Sequence, residues 1–328
     1  MPDVDGQVSV IDVGHGSAAV VEHGGWVAIV DAGPGNSLLE FLVQRGVTHV
    51  DLILISHADE DHLRGLVGLL SSDVCTVERV RLNSDGLKTS KIWQDVVYLV
   101  DEKRRVGAID VEPTLTPADS GRFDHGSVHV EVVGPSTALA LLGPGSRDAT
   151  GRKITSNSIS AVIRISVDGR PLVLFPGDLD EVGLNDLKRV GADVRAPVLV
   201  FPHHGGSPGS PKAGEFTTSL CGMVQPETVI FSIGRGVHST PNPAVVAALR
   251  AHGTATRIAC TQLSEHCAAS VPAAAPSHLN PVFALGREQR KCCGGTITIG
   301  LQSPYSVLPS LEQHKDFISR NAPSALCR

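Results

Sequence analysis

The feature that most constrains this chain is a dense polar cluster, His57-Ala58-Asp59-Glu60-Asp61-His62, set between two apolar segments. The apolar run Val50–Ile55 precedes the cluster, and a helix-like segment, residues 63–70, follows it. A short apolar run that ends in polar residues is typical of a buried strand that leads into a loop. Because ligands of α/β folds commonly bind where strands end, the sequence predicts a functional site here.

Two later strand-like runs end in residues of the same kind. Residues 172–175 lead into Pro176-Gly177-Asp178, and residues 198–201 lead into Pro202-His203-His204-Gly205. We therefore expect the three polar clusters to share one rim of the protein. Carboxylates and neutral imidazoles are common ligands of divalent metals. The predicted metal ligands are His57, Asp59, Asp61, His62, Asp178 and His203.

Composition and charge narrow the class of protein. The chain has 328 residues, of which 41% are hydrophobic and 19% charged, as in globular proteins with a sizeable core. No apolar run reaches the roughly 18 residues that span a bilayer, and residues 1–6 lack a secretory pattern, so we expect a cytoplasmic protein without a membrane partner. A net charge of −6 and 4% aromatic residues argue against a broadly basic surface for nucleic acid.

Taken together, His57-x-Asp59-x-Asp61-His62, Gly177-Asp178 and Pro202-His203-His204-Gly205 resemble the metallo-β-lactamase superfamily. With Asp12-Val13-Gly14 and Ser156-Asn157-Ser158, the chain is most similar to the ComEC-type hydrolase domain of bacterial DNA-uptake proteins. The resemblance implies an α/β (α+β) fold, a four-layer αββα sandwich of two similar halves. We expect residues 1–302 to form this domain and residues 303–328 to form a loosely ordered C-terminal tail.

The resemblance also implies two divalent metal ions. His57 and Asp59 would bind one ion, Asp61, His62 and His203 would bind the other, and Asp178 would bridge them. The chain departs from the superfamily in two places, since Asp59 replaces a histidine and a later histidine is absent near Asn157. Three carboxylates beside three imidazoles form a harder ligand set, which moves the expected metal from zinc towards manganese or magnesium.

A reaction follows from the same resemblance. We expect a metal-dependent hydrolase, a phosphodiesterase or nuclease, in which a metal-bound hydroxide attacks the phosphorus of nucleic acid or another phosphodiester. The predicted catalytic residues are Asp61, His62, Asp178 and His204. Residues expected to support the ligands or contact the substrate are Asp12, Asn157 and Ser207. A turn role for Asp12 or Asn157, and a structural hydrogen bond for His204, are open alternatives.

Two other functions stay open at the level of the sequence. One is a hydrolase of a small phosphoester, a nucleotide or a lactone, which the negative charge and low aromatic content favour. The other is a catalytically weak binding or scaffold subunit with partner proteins, which the missing histidine favours. A basic groove beside the metals would favour a nuclease, whereas a closed pocket would favour a small substrate.

The seven cysteines raise a separate question. Cys260, Cys267, Cys292 and Cys293 flank a Pro- and Ala-rich insertion near residues 262–292. With His266 or His278 they are candidate ligands of an additional structural zinc ion, although they lack the tight C-x-x-C spacing of strong zinc motifs. Buried free cysteines or one disulfide are an equal alternative.

Overall fold

The computed structural model describes residues 6–209 and 212–328 of the chain. Residues 1–5 of the predicted domain lie outside the described residues. The expectation that the N-terminus lacks a secretory pattern depends on these residues. The strands are β1 (Gln7–Val10), β2 (Ala18–His23), β3 (Trp26–Ala32), β4 (His49–Ile55), β5 (Thr76–Leu82), β6 (Asp110–Glu112), β7 (Val128–Gly134), β8 (Val162–Val167), β9 (Arg170–Phe175), β10 (Val198–Val200), β11 (Thr228–Phe231), β12 (Arg257–Cys260), β13 (Ile297–Gly300) and β14 (Val307–Leu308).

Eight α-helices connect or follow these strands within the described residues. They are α1 (Ser37–Arg45), α2 (Glu60–Ser71), α3 (Lys91–Arg105), α4 (Thr137–Leu142), α5 (Glu181–Val190), α6 (Ala213–Val224), α7 (Pro243–His252) and α8 (Leu311–Asn321). None of the helices in residues 6–209 and 212–328 is long and apolar enough to cross a membrane.

The strands form two mixed sheets. The first sheet has eight strands in the order β14-β13-β1-β2-β3-β4-β5-β6, and its strands β3 to β6 are parallel. The second has six strands in the order β12-β11-β10-β9-β8-β7, and its strands β9 to β12 are parallel. Asp168 and Gly169, with φ of 50° and 72°, form the predicted hairpin turn between β8 and β9.

The hydrophobic core has three main layers. One lies between the two sheets, a second lies between the first sheet and helices α1 to α3, and a third joins the second sheet to helices α5 to α8. Strand β3 shows why both faces of a sheet are apolar, because Trp26 and Ala28 face the other sheet while Val27 and Ile29 face the helices. The predicted fold class and the four-layer αββα sandwich are confirmed.

The C-terminal segment is more ordered than the sequence suggests. Residues 303–328 contain β14, which pairs with β13, and the helix α8. A capping box starts α8, since Ser310 Oγ accepts a hydrogen bond from the Gln313 N–H at 3.2 Å and Gln313 Oε1 accepts one from the Ser310 N–H at 3.1 Å. Phe317 and Ile318 are buried in the same core layer as α5 to α7. The expectation of a loosely ordered tail is therefore wrong for this segment.

Candidate metal centre

Strand ends from both sheets meet at the candidate metal centre. The end of β4 leads into residues 56–59, and α2 then begins at Glu60, so Asp61 and His62 lie in its first turn. The end of β9 leads to Asp178, and the end of β10 leads to His203 and His204. The three polar clusters predicted to share a rim therefore do so.

The most compact group of metal donors consists of two carboxylates and two imidazoles. One ligand atom from each of Asp61, His62, Asp178 and His204 lies within 4.8 Å of the other three. His62 Nε2 is 3.3 Å from Asp178 Oδ1, and His204 Nε2 is 3.1 Å from Asp61 Oδ2. We call this group the four-donor cluster; its ligand types suit a divalent transition metal.

Hydrogen bonds at Nδ1, on the side away from the cluster, orient the two imidazole rings of the four-donor cluster. His62 Nδ1 lies 2.7 Å from Asp31 Oδ2, and His204 Nδ1 lies 2.8 Å from the Ser232 carbonyl oxygen. Each acceptor favours the tautomer with its hydrogen on Nδ1, so the lone pair of Nε2 points into the cluster. His62 Nε2 is buried without a hydrogen-bond partner. A divalent cation fits this donor set because it would satisfy that atom.

Burial and mutual charge set the protonation of the cluster. Burial alone would lower the pKa of His62, but Asp31 and Asp178 raise that pKa well above its usual value. Burial would raise the pKa of Asp178, but His62, His204 and His203 hold it well below its usual value. The pKa of Asp61 is lowered despite burial, chiefly by the hydrogen bond with His204. Both carboxylates are therefore ionised, which is the state that binds a cation, whereas His62 releases a proton when its Nε2 binds one.

Gly177 allows the end of β9 to approach the end of β4. Its φ is +54°, and a Cβ atom there would overlap the hydroxyl groups of Ser56 and Ser160. Both serines have structural roles, since Ser160 Oγ accepts a hydrogen bond from the Asp178 N–H at 3.1 Å and the Ser56 N–H donates to Asp31 Oδ1 at 2.7 Å. Glycine is therefore required at the position before Asp178.

The two neighbouring histidines after β10 have different surroundings from those predicted. The sequence predicts His203 as the ligand, but it is His204 that belongs to the four-donor cluster. His203 lies at the edge, with Nδ1 3.4 Å from Asp178 Oδ2 and its backbone N–H donating to Asp178 Oδ1 at 3.0 Å. His203 Nε2 is buried and has no hydrogen-bond partner. The expected hydrogen bond of His204 to the backbone also exists, and its catalytic role stays a prediction.

His57 and Asp59 lie beside the cluster but do not join it. His57 Nε2 is buried without a hydrogen-bond partner and lies 3.9 Å from Asp59 Oδ2. In the part of the chain that the structure describes, no close group of three or more metal donors contains either residue. Instead, Lys88 Nζ lies 2.5 Å from Asp59 Oδ1. Sequence reasoning did not identify Lys88, because a single lysine in a loop carries no motif.

Asp12 has a structural role rather than the predicted role beside the ligands. Its side chain is fully buried and accepts hydrogen bonds from the Gly14 N–H at 3.1 Å, Gln262 Nε2 at 2.9 Å and the Gly286 N–H at 2.9 Å. These contacts tie the end of β1 to the insertion, and none of the three donors belongs to a predicted metal ligand. The turn interpretation of Asp12 agrees with the Gly14 contact.

Asn157 and Ser207 lie near the centre on two loops. Asn157 begins a short 3-10 helix, Asn157–Ile159, and lines a cavity beside His203. Ser207 is exposed on the loop that follows His204. Their contact with a substrate stays a prediction.

The predicted structural zinc site is not assembled. Cys292 Sγ donates to Asp12 Oδ2 at 3.3 Å, whereas Cys293 Sγ lies 3.1 Å from His314 Nε2. All seven cysteines are free thiols, and no close group of three or more metal donors among the described residues contains a cysteine. Cys292 is separated from the other three because the adjacent residues 292 and 293 point to different partners, whereas Cys260, Cys267 and Cys293 are buried in one core cluster. All four of these cysteines are buried.

An open cavity of about 570 Å³ borders the metal centre. Asp59 and His203 form its wall on the side of the centre, and Lys88, Arg152 and Lys153 bring positive charge to it. Asp85, Asp180 and Glu181 also line the cavity. No Phe, Tyr or Trp side chain belongs to the described lining.

Comparison with known proteins agrees with this architecture. The family profile described as Metallo-beta-lactamase superfamily matches residues 11–205, which is more than half of the chain. ComE operon protein 3 of Bacillus subtilis (strain 168) is 24% identical over 272 residues, which cover 76% of this chain and 31% of that protein. The chain thus spans about a third of the length of this curated relative.

Solved structures show low sequence identity to the chain. Igni18, described as a novel metallo hydrolase from Ignicoccus hospitalis KIN4/I, is 16% identical with a TM-score of 0.45, covering 79% of this chain and 97% of that one. The short form of human tRNase Z is 15% identical with a TM-score of 0.38, covering 68% of this chain and 91% of that one.

Proposed function

The chain belongs to the metallo-beta-lactamase superfamily, and we propose that it is a metal-dependent phosphodiesterase that cleaves nucleic acid strands. The observation that carries the proposal is the four-donor cluster beside a cavity whose lining has three cationic side chains among four carboxylates. The superfamily supports a metal-dependent hydrolase in general. The phosphodiester substrate is inferred from the charges around the centre.

The four-donor cluster supplies the residues that would hold the metal. A divalent ion bound there acts as a Lewis acid and lowers the pKa of water. Asp61, His62, Asp178 and His204 would hold it, and the Asp31 carboxylate and the Ser232 carbonyl fix the two rings behind it. Two carboxylates with two imidazoles suit manganese or zinc.

Cationic side chains in the cavity could bind the phosphate backbone of a nucleic acid. Lys88, Arg152 and Lys153 line it, and cationic side chains of this kind bind phosphate oxygens. Lys88 is also paired with Asp59, and Arg152 is paired with Asp148 and Glu181. Two of the carboxylates beside these cations form structural hydrogen bonds within the protein. Asp180 Oδ1 caps α5 by accepting from the Gly183 N–H at 3.0 Å, and Asp85 Oδ1 accepts from the Leu87 N–H at 2.8 Å.

The cavity lining also supports recognition without base preference. Bases of single strands are usually bound by stacking on aromatic rings, and the described lining contains no Phe, Tyr or Trp side chain. Contacts to phosphate and sugar position a strand but carry no sequence information directly. We therefore expect cleavage that depends weakly on sequence.

A cleavage assay with matched variants tests this function. Single- and double-stranded oligonucleotides and bis(p-nitrophenyl) phosphate are incubated with the protein and Mn²⁺, Mg²⁺ or Zn²⁺. We expect metal-dependent cleavage that Asp61→Ala and His62→Ala abolish. Glu60→Ala is the control, because Glu60 lies in the same motif but its exposed side chain pairs with Arg64 at 2.9 Å. Cleavage that persists unchanged in Asp61→Ala and His62→Ala would refute the assigned site.

The size of the cavity favours one second candidate, a hydrolase of small phosphodiesters. A volume of about 570 Å³ lies in the usual range of small-molecule sites. The Glu181 and Asp85 carboxylates in the lining would oppose a long polyanion. Turnover of the small ester without cleavage of any oligonucleotide would establish this alternative in place of the nuclease.

A further inference from the structure

The metal donors around the centre form one group of four and one separate pair. The four-donor cluster has all its ligand atoms within 4.8 Å of one another. His57 and Asp59, which the family resemblance assigns to a separate metal, form only a pair, 3.9 Å apart. No third close donor from the described residues joins this pair. Since catalytic metal sites usually have three protein ligands or more, two donors make a weak site.

Lys88 lies against this pair. Its Nζ is 2.5 Å from Asp59 Oδ1, and only 29% of its side chain is exposed. The loop that carries Lys88 is anchored, since Asn83 Nδ2 donates to the Ile159 carbonyl oxygen at 2.8 Å. The Lys88 N–H also donates to the Asp85 carbonyl oxygen at 3.2 Å. The ammonium group therefore lies beside Asp59 as an ion pair on an anchored loop.

We propose that Lys88 takes the place of the metal ion expected at His57 and Asp59. The protein then binds one divalent ion per chain, at the four-donor cluster, and the Lys88 ammonium supplies the second positive charge that meets the substrate. The metal content does not depend on which substrate the enzyme uses. The role of Lys88 towards a phosphoryl oxygen rests on the proposed function.

Electrostatics favours this arrangement. Lys88 already neutralises Asp59, so a dication at the pair would replace or oppose an ammonium group a few ångströms away. An ammonium group donates charge-assisted hydrogen bonds to phosphate oxygens and stabilises the charge that develops on them. His57 Nε2 and Asp59 Oδ1 have no hydrogen-bond partner, and without an ion at the pair both atoms can accept a hydrogen bond from water or from the substrate.

Metal counting on the full chain tests the proposal without any substrate. The protein is equilibrated by dialysis against excess Mn²⁺, and bound manganese is measured by mass spectrometry and electron paramagnetic resonance. We expect about one ion per chain with the signal of an isolated ion. Asp59→Asn should keep this content, and Asp61→Asn should lose it. Two exchange-coupled ions in the unaltered protein, falling to one in Asp59→Asn, would overturn the proposal.

The charge of Lys88 is tested with the small ester as substrate. Lys88→Met should lower kcat by about tenfold or more at unchanged metal content, and Lys88→Arg should restore part of it. Lys188→Met, an exposed lysine in the last turn of α5, is the matched control and should behave as the unaltered protein. Equal kcat for Lys88→Met and the control would overturn the proposed role. If no phosphodiester is turned over, the proposed function fails, whereas the metal count still tests the single site.

Discussion

Asp31 Oδ2 lies 2.7 Å from His62 Nδ1, and both side chains are almost completely buried. Asp31 has a φ of +60°, and its carboxylate also accepts hydrogen bonds from the N–H and the hydroxyl of Ser56, at 2.7 and 3.1 Å. These contacts fix the carboxylate, which in turn fixes the imidazole ring. The end of β3 therefore determines how His62 faces the metal centre.

Replacement of Asp31 should weaken metal binding without removing a ligand. Asparagine tolerates the same backbone conformation but lacks the charge that supports His62, so Asp31→Asn should lower metal affinity by about 10- to 100-fold. Calorimetric titration with Mn²⁺ measures this change. Asp186→Asn is the control, because Asp186 is also buried, its Oδ2 accepts a hydrogen bond from the Ser136 N–H at 2.9 Å, and it belongs to neither close group of metal donors among the described residues. An equal loss of affinity in both variants would contradict the prediction.

The two histidines after β10 should respond differently to replacement. His204→Ala removes a member of the four-donor cluster and should lower metal affinity by more than about 100-fold. His203→Ala removes a ring at the edge of the cluster, and the backbone N–H that binds Asp178 is kept. We expect a loss of less than about tenfold for this variant. The same titration measures both, and the reverse order would show that His203 is the ligand.

Gly177 should tolerate alanine poorly. Gly177→Ala combines a positive φ with overlap against Ser56 and Ser160, and should lower the free energy of unfolding by about 3 kcal/mol or more. Gly169→Ala has the same kind of φ, +72°, but no neighbouring atom within 4 Å of the added Cβ. It should cost about 1 kcal/mol. Urea unfolding measures both values, and similar losses would show that backbone strain alone is responsible.

The pair of Glu131 and Arg164 should make stability depend on pH. They lie opposite each other on β7 and β8, with two hydrogen bonds of 2.9 Å between carboxylate and guanidinium. The hydrogen bonds from Arg164 lower the pKa of Glu131 below its ordinary 4.5. The contribution of the pair to the free energy of unfolding is therefore complete above pH 4.5. It is lost as the pH falls through the lowered pKa of Glu131.

Glu131→Gln isolates this contribution. The side chain of Glu131 is 29% exposed, so the variant should lose only about 1 to 2 kcal/mol of unfolding free energy at pH 7. The difference from the unaltered protein should shrink as the pH falls below 4.5. Urea unfolding at several pH values measures it, and a difference that is constant from neutral to acidic pH would exclude this origin.

The location of the centre could be predicted from the sequence because it depends on local patterns, whereas the sandwich was expected from the resemblance to the superfamily. The runs before His57, Asp178 and His203 are continuous apolar strands, and polar residues follow each of them. The contact between Lys88 and Asp59 could not be predicted, since it depends on the path of the loop after β5. The same holds for the choice between His203 and His204, which depends on the backbone angles after Pro202.

Other differences have local causes. Adjacent residues of an extended chain face opposite sides, which explains why Cys292 and Cys293 do not serve one zinc site. For α8, a signal was present and was overlooked. Ser310 and Gln313 have the spacing of a capping box, and the buried residues His314 and Phe317 follow at helical intervals.

The C-terminal segment connects the two sheets of the sandwich. β14 is hydrogen bonded to the first sheet, while Arg257 of β12, in the second sheet, donates to the carbonyl oxygens of Val307 and Pro309 at 3.4 and 2.5 Å. A shortened protein that stopped at residue 302 would expose β13 as an edge strand and uncover the apolar surface under Phe317. The smallest unit suitable for recombinant expression therefore extends through Cys327, which still packs against that surface.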